Sequence, residues 1–440
     1  MSMKMYIITF AGLFAATGCA EQRLDLFDAP ADVGADVGTD AAAEAGVDAG
    51  PDAEVGADVG VDAEADAEVD AGLPDVTFAH AELCSGNRHS CALVDGALWC
   101  WGDNRDGQLG VGDREARVGP QRVMGGDWRA VECGAAHTCA LRAGGTVWCW
   151  GSNALGQVGR GAGELADAPA QVLLFEEAVG LSARTNHTCA VTARGELWCW
   201  GRNAEAELGQ RTNEFNGPAV IETPQSVEGF DDVVGVAVGD GSSCVRRASG
   251  ELWCWGRNTQ GQIGLGSATP EQQVEPSRVA SPAGEAWASV HTGLTHVCAF
   301  TDAGDLYCWG NGRGGQLGVE ADREFAPIRV DLGLPLARIH ANAFSTCGTS
   351  GDGRAWCWGL NIDNLLGVGA ERGAQTRPGQ LPFTGIQALA TGRFHTCLIG
   401  RDGLARCVGN NPNGQLGVDP AEVDNAADWL RVPSPWLDEM

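Results

Sequence analysis

The sequence predicts an all-β fold assembled from seven repeated blades. Three observations predict it. The tetrapeptide Trp-Cys-Trp-Gly returns at intervals of roughly fifty residues, a second Cys precedes each copy, and a Gly-centred turn lies between the two cysteines. The tetrapeptide stands at Trp99–Gly102, Trp148–Gly151, Trp198–Gly201, Trp253–Gly256 and Trp356–Gly359, with looser copies at Tyr307–Gly310 and Arg406–Gly409. A unit this small cannot bury its apolar faces alone, so the copies must stack on one another.

In chain order, the first element is a leader. Met1 to Lys4 is positively charged, Tyr6 to Ala16 is apolar but too short to span a bilayer, and Ala16-Thr17-Gly18-Cys19 follows. Residues 1–18 read as a signal peptide. The motif resembles the lipobox of bacterial lipoproteins, which implies cleavage before Cys19 and acylation of its thiol; an ordinary signal peptide would be cut near Ala20 instead. Residues 19–74 form the second element. From Pro30 to Gly72 this stretch is almost wholly Ala, Asp, Glu, Gly and Val, without a basic or aromatic residue, and cannot bury enough apolar surface to offset its ordering entropy. As a coil it would reach roughly 35 to 40 Å, the dimension of a tether. The alternating acids Asp62, Glu64, Asp66, Glu68 and Asp70 lack the Gly-punctuated loop of a calcium site.

The repeat domain occupies residues 75–440. Short apolar runs around Asp95-Gly96, Gly144-Gly145, Arg194-Gly195, Ser249-Gly250, Ala303-Gly304 and Asp402-Gly403 read as β-hairpins. Counting outward from Asp95-Gly96 sets Cys91 across from Cys100. Later repeats carry one more residue, which suits a three-residue turn and sets Cys139 against Cys149, Cys189 against Cys199, Cys244 against Cys254, Cys298 against Cys308, Cys347 against Cys357 and Cys397 against Cys407. Trp148 and Trp150 share one face of their strand and Val147 and Cys149 the other. Both faces are apolar, as in a blade packed between two others.

Paired cysteines on facing strands argue for disulfides in an oxidising compartment, and a spacing of nine or ten residues across a hairpin fits no common structural zinc site. Closing such a loop stabilises by about 2 to 3 kcal/mol in the loop-entropy model. Of the 17 cysteines, Cys84 and Cys133 remain besides Cys19. They lie seven and six residues before their hairpin cysteines, on similar strands of neighbouring blades. A disulfide between blades one and two is therefore expected, yet the one-residue offset puts the two out of step and leaves the pairing open.

Residues that recur in every blade build blades. His89, His137, His187, His296 and His395 precede the first hairpin Cys, with Ser242 and Ser345 in their place elsewhere. Spaced one per blade, they cannot converge on one metal ion, and they are expected to hydrogen-bond backbone groups. Asn-x-x-Gly-Gln-Leu-Gly, seen at Asn104–Gly110, Asn153–Gly159, Asn258–Gly264 and Asn411–Gly417, has the chemistry of a turn that satisfies its own backbone. Glu176-Glu177 and Asp231-Asp232 read as solvated loop charges. No nucleophile elbow, zinc-protease helix or phosphate loop appears in a confirming context. No catalytic residue, cofactor site or metal site is expected. A catalytic group is needed once, and a clustered, buried acid pair in a central channel would bring an enzyme back into view. The longest connections, Gln210–Gln225 and Leu265–Ala283, are the expected recognition loops.

With these residues set out, the chain resembles the regulator of chromosome condensation repeat family, whose signature is Cys-Trp-Gly-x-Asn followed by Gly-Gln-Leu-Gly. Cys149-Trp150-Gly151-Ser152-Asn153 with Gly156-Gln157-Val158-Gly159, and Cys254-Trp255-Gly256-Arg257-Asn258 with Gly261-Gln262-Ile263-Gly264, carry the match. The resemblance implies a seven-bladed β-propeller with four-stranded blades. Departures are Ala206-Glu207-Leu208-Gly209, Asn364-Leu365-Leu366-Gly367 and Arg406-Cys407-Val408. Ring closure requires either Val76–Leu83 or Leu430–Pro433 to complete the last blade, and Pro120–Val123 of the first repeat favours the local solution.

The net charge is −29; residues before Val76 hold 17 of the 58 acidic and two of the 29 basic residues, leaving 41 against 27 in the repeat domain, a net of −14. Such a surface repels nucleic acid and anionic membrane. The expected function is that of a non-enzymatic, membrane-anchored extracytoplasmic scaffold, touching the membrane only through its lipid and binding a protein or glycan; an oligomer is not implied. The resemblance also implies two alternatives, guanine-nucleotide exchange and inhibition of an enzyme such as a β-lactamase.

Overall fold

The computed structural model describes residues 75–439 apart from 162, 164, 175, 211–217, 282–283 and 370–371. The leader, the tether and Cys19 lie outside the described residues. The first blade comprises β1 (Ala81–Ser85), β2 (His89–Val94), β3 (Ala97–Gly102) and β4 (Arg117–Arg122), antiparallel and in chain order. Six more four-stranded sheets follow, spanning Trp128–Gln171, Ala178–Ser226, Val233–Val279, Trp287–Arg329, Leu336–Gln380 and Ala388–Val432. The second blade begins with β5 (Trp128–Cys133). The innermost strand of blade seven, Ala388–Thr391, packs against β1, so the seven blades form a closed ring.

The hairpins form as their turn residues dictate. Asp95 and Gly96 both have positive φ, 46° and 85°, as a two-residue hairpin turn requires. In blade two only Gly145 does so, at 74°, within the longer turn. The register sets Cys91 against Cys100 and repeats in all seven blades, with disulfides between Cα atoms 4.1 to 4.2 Å apart. A further disulfide joins Cys84 to Cys133, across blades one and two.

The core lies between blades. Trp150 is fully buried against Cys91, Leu93, Leu98 and Leu109 of blade one, and Trp101, Trp200, Trp255, Trp309 and Trp358 are buried likewise at other junctions. An indole buries 150 to 250 Å², roughly, and its N–H needs a partner. Trp150 Nε1–H donates to the Gln108 carbonyl of the preceding blade at 2.9 Å, and the same bond recurs from Trp200 to Gln157 and from Trp309 to Gln262. Gly110 lets the indole in: a Cβ there would stand 2.6 Å from Trp150 Nε1. The Asn side chains close their turns as expected, Asn104 Oδ1 accepting the Leu109 N–H at 3.0 Å.

The histidines correct the expectation of backbone partners. Each reaches a side-chain hydroxyl of the next blade: His89 Nε2 meets Thr138 Oγ1 at 3.0 Å, His137 meets Thr188 at 3.1 Å, His187 meets Ser243 at 3.0 Å and His296 meets Thr346 at 2.9 Å. Thr138 Oγ1 already donates to the Gln108 carbonyl at 2.8 Å, so the imidazole must donate Nε2–H. His395 continues the series onto Ser90 of blade one at 2.7 Å, and Trp101 Nε1–H donates to Gln415 of blade seven at 3.0 Å. Blade seven is completed locally by Asn425–Val432. The N-terminal stretch helps without adding a strand: Val76 N–H donates to the Arg401 carbonyl at 2.7 Å, and Phe78 packs into the blade-seven core.

The three departures keep the fold for separate reasons. Ala206 and Asn364 adopt the left-handed conformation of the glycines they replace, φ 60° and 58°. Glu207 is wholly buried, its Oε1 3.2 Å from Arg202 Nη1. Arg406 stands where the other blades have Trp or, in blade five, Tyr307, and forms a buried ion pair with Asp402 at 2.6 Å.

Candidate functional site in the central channel

The seven innermost strands surround a cavity of about 1050 Å³. Strand register identifies equivalent positions around it. Opposite the first hairpin Cys stand Cys84, Glu132, Ser182, Ala237, His291, His340 and Ala390 in blades one to seven. Nothing recurs regularly there, in contrast to every blade-building position. This ring is where the chain departs from its own repeat.

Two residues further along come Gly86, Gly134, Arg184, Gly239, Gly293, Asn342 and Gly392. At Gly86, Gly134, Gly293 and Gly392 a histidine ring lies over the glycine; a Cβ on Gly134 would come 2.0 Å from His137 Cε1. The two exceptions meet across the cavity. Arg184 donates through Nη1 to Asn342 Oδ1 and through Nη2 to the Ala341 carbonyl at 3.3 Å.

Two carboxylates complete the site. Glu82 lies two residues before Cys84 on β1, and Glu132 lies beside Cys133 on β5. Burial, reinforced by the charge of Glu132, pushes Glu82 up to about 8, with the Val131 N–H partly offsetting it. Burial likewise raises Glu132 to about 7 against the opposing pull of Arg184. Near neutral pH the pair therefore retains a proton. His291 and His340 are both held down at about 4 by burial, His291 also by Arg184 and His340 by His291 and Arg338. The channel lining thus includes the carboxyl groups of Glu82 and Glu132, the guanidiniums of Arg184 and Arg338, and the imidazoles of His291 and His340, held neutral. Both carboxylates are half-buried, Glu82 with 31% of its side chain exposed, so the channel does not supply the clustered, buried acid pair that would mark chemistry.

A metal finds no vacant thiolate set here. Among the described residues, Cys84, Cys91 and Cys133 alone bring three ligand-type atoms within 4.8 Å of one another, and all three are engaged in disulfides.

A family profile described as the RCC1-like domain matches residues 179–438, and the regulator of chromosome condensation (RCC1) repeat matches residues 95–141 and 144–191. The chain belongs to the RCC1-like family. This RCC1-like chain is 30% identical over 241 residues to the ultraviolet-B receptor UVR8 of Arabidopsis thaliana, covering 53% of this chain and 54% of the receptor. Over 102 residues it is 37% identical to the probable E3 ubiquitin-protein ligase HERC3 of Homo sapiens, covering 23% of this chain and 10% of the ligase. It therefore spans about half the length of the first relative and a tenth of the second. The fold is similar to human WBSCR16, with TM-score 0.68 at 21% identity over 77% of this chain and 95% of that one. It is also similar to yeast RCC1 (Prp20) in its structure with Kap60, with TM-score 0.65 at 21% identity over 81% and 85% of the two chains.

The expected recognition loops of this RCC1-like propeller are shorter than the sequence suggests. Val220–Ser226 and Gln272–Val279 are the outermost strands of blades three and four, pairing with the second hairpin strand on either side of a bulge. Leu265–Glu271 remains as a largely exposed connection, and 211–217 lie outside the described residues. The acids at the blade edges are paired rather than simply solvated: Glu176 meets Arg194 at 3.0 Å and Asp232 meets Arg247 at 2.6 Å. Sequence reading missed Glu82, Glu132, Arg184 and Asn342. For Arg184 and Asn342 the signal was present, as the two blades in which Gly is absent three residues before His or Ser.

Proposed function

We propose that this RCC1-like propeller is an exported binding scaffold, acylated at Cys19, held off a membrane by residues 19–74, and taking a protein ligand on its inter-strand connections. One observation carries the binding reading: the recurrent polar groups are consumed within and between blades, so only the irregular positions are left to recognise another molecule. The exposed connection Leu265–Glu271 is such a position. Similar propellers support a protein over a glycan, since yeast RCC1 is seen bound to Kap60 and Prp20p is described with binding to Gsp1p and histones. The acidic repeat domain favours a basic partner. The full complement of paired cysteines supports export.

Photo-crosslinkers at Leu265 and Thr269 test the ligand in intact cells. The expected result is one protein adduct from these positions and none from crosslinkers on the outer strand Gln272–Val279; glycan adducts alone, or indiscriminate adducts, would exclude the reading. Metabolic labelling with an alkyne fatty acid tests the anchor. Label should be lost in Cys19→Ala, and retained label would rule acylation there out.

A further inference from the structure

One of the eight disulfides among the described residues differs from the rest. The fourteen hairpin cysteines are shielded completely, each with 0% exposure, whereas Cys84 retains 8% and Cys133 6%, and both line the channel. This bridge also has no counterpart in other blades, where Ser182, Ala237, His291, His340 and Ala390 stand opposite the hairpin Cys. A staple needed for the fold would be expected at more than one junction. A group needed for chemistry is needed once.

The carboxylate beside it is placed to handle a proton. Glu82 and Cys84 share one face of β1, and Val131 and Cys133 share the facing side of β5. Cys133 bonds Cys84, so Glu82 and Val131, two residues earlier on the same faces of β1 and β5, lie one rung along from the disulfide between the same two strands. The groups facing Glu82 are His80, whose Nε2 lies 3.6 Å from it, and Glu132 on β5, itself opposed by Arg184. Strand β2 and the inner strand of blade seven bring no carboxylate, Lys or Arg against it. With a raised carboxyl group, Glu82 keeps its proton at neutral pH and can give it up.

We propose that Cys84–Cys133 is a thiol–disulfide exchange site for small thiols entering the channel, with Glu82 as its proton donor and acceptor. A thiolate attacks Cys133 Sγ; the new sulfur–sulfur bond forms as the Cys84–Cys133 bond breaks. The electron pair leaves on Cys84 Sγ, which takes the proton of Glu82. A second thiol passes its proton to the Glu82 carboxylate and attacks the external sulfur of the mixed disulfide. The small disulfide departs, and Cys133 leaves as a thiolate and is protonated. Two thiols are oxidised and one disulfide is reduced. The reverse sequence with a small disulfide restores the bridge, so no other oxidant is required. This inference is independent of the binding reading and of the anchor.

The test uses the full chain purified without reductant. Graded glutathione, alkylation and peptide mapping would follow each cysteine separately. Cys84 and Cys133 should react at least tenfold faster than any hairpin cysteine, and glutathione should be found on one of them. Reaction no faster than the hairpin pairs would overturn the proposal. Glu82→Gln supplies the second arm: the exchange rate at pH 7 should fall about tenfold and lose its titration near pH 8, with the hairpin map unchanged. An unaltered pH profile would show a merely accessible staple and reject the exchange site.

Discussion

Acid should unfold this propeller through its inter-blade histidines. Burial lowers His137, His187, His296 and His395 to about 3 and His89 to about 4. Each is 0 to 1% exposed with Nε2 within hydrogen-bond distance of a hydroxyl of the next blade, and for His89, His137, His187 and His296 it is Nε2–H that donates. A folded value below the ordinary 6.5 means that the unfolded chain binds the proton more readily. Stability is then fully present above pH 6.5 and is lost as pH falls towards the folded values. At pH 5 the loss depends only on the ordinary value, because every folded value lies well below 5: about 2 kcal/mol for each histidine. Five such groups give a loss of about 10 kcal/mol between pH 7.5 and 5, comparable to the whole stability of many domains. Glu82 and Glu132, with raised values, act in the opposite direction and gain stability over the same range. The decisive measurement is therefore a double difference, the denaturant-unfolding free energy of wild type and His137→Gln at pH 7.5 and 5. Subtracting cancels every group but one, and the variant should be less acid-sensitive by about 2 kcal/mol. Equal acid sensitivity in the two proteins would refute the argument, since it would mean that the buried ring takes up its proton in place.

Four further outcomes follow from single side chains. Trp150→Ala should cost about 3 to 5 kcal/mol in denaturant unfolding, because the indole is fully buried between blades one and two; a loss below 1 would contradict the packing. Arg406→Ala should cost about 3 to 5 kcal/mol by leaving Asp402 buried without its cation, and Arg406→Ala/Asp402→Ala should recover part of it, which melting curves would show. Ala206→Gly should stabilise by about 1 kcal/mol, since glycine adopts φ 60° without the penalty of a Cβ; a destabilised variant would count against the turn geometry. Arg184→Met should move the Glu132 carboxyl further up from about 7 in a carbon-detected titration, and a downward or absent shift would remove Arg184 as its partner.

What sequence could determine here was whatever is local. The hairpin cysteines lie nine or ten residues apart across a turn whose glycines fix its type, so their facing follows from strand alternation alone. The repeat count follows from the recurrence of Trp-Cys-Trp-Gly, and the closed ring from the need of each apolar face for a neighbour. Tertiary structure decided what lies inside the ring. Arg184 and Asn342 are 158 residues apart and meet only because blades three and six face the same channel. Cys84 and Cys133 show why an isolated spacing misleads. Cys84 pairs with Cys91 while Cys133 pairs with Thr138, one step out of register. That offset, awkward in the sequence, is what puts one sulfur on each of two facing sheet surfaces, because side chains alternate and neighbouring blades meet front to back.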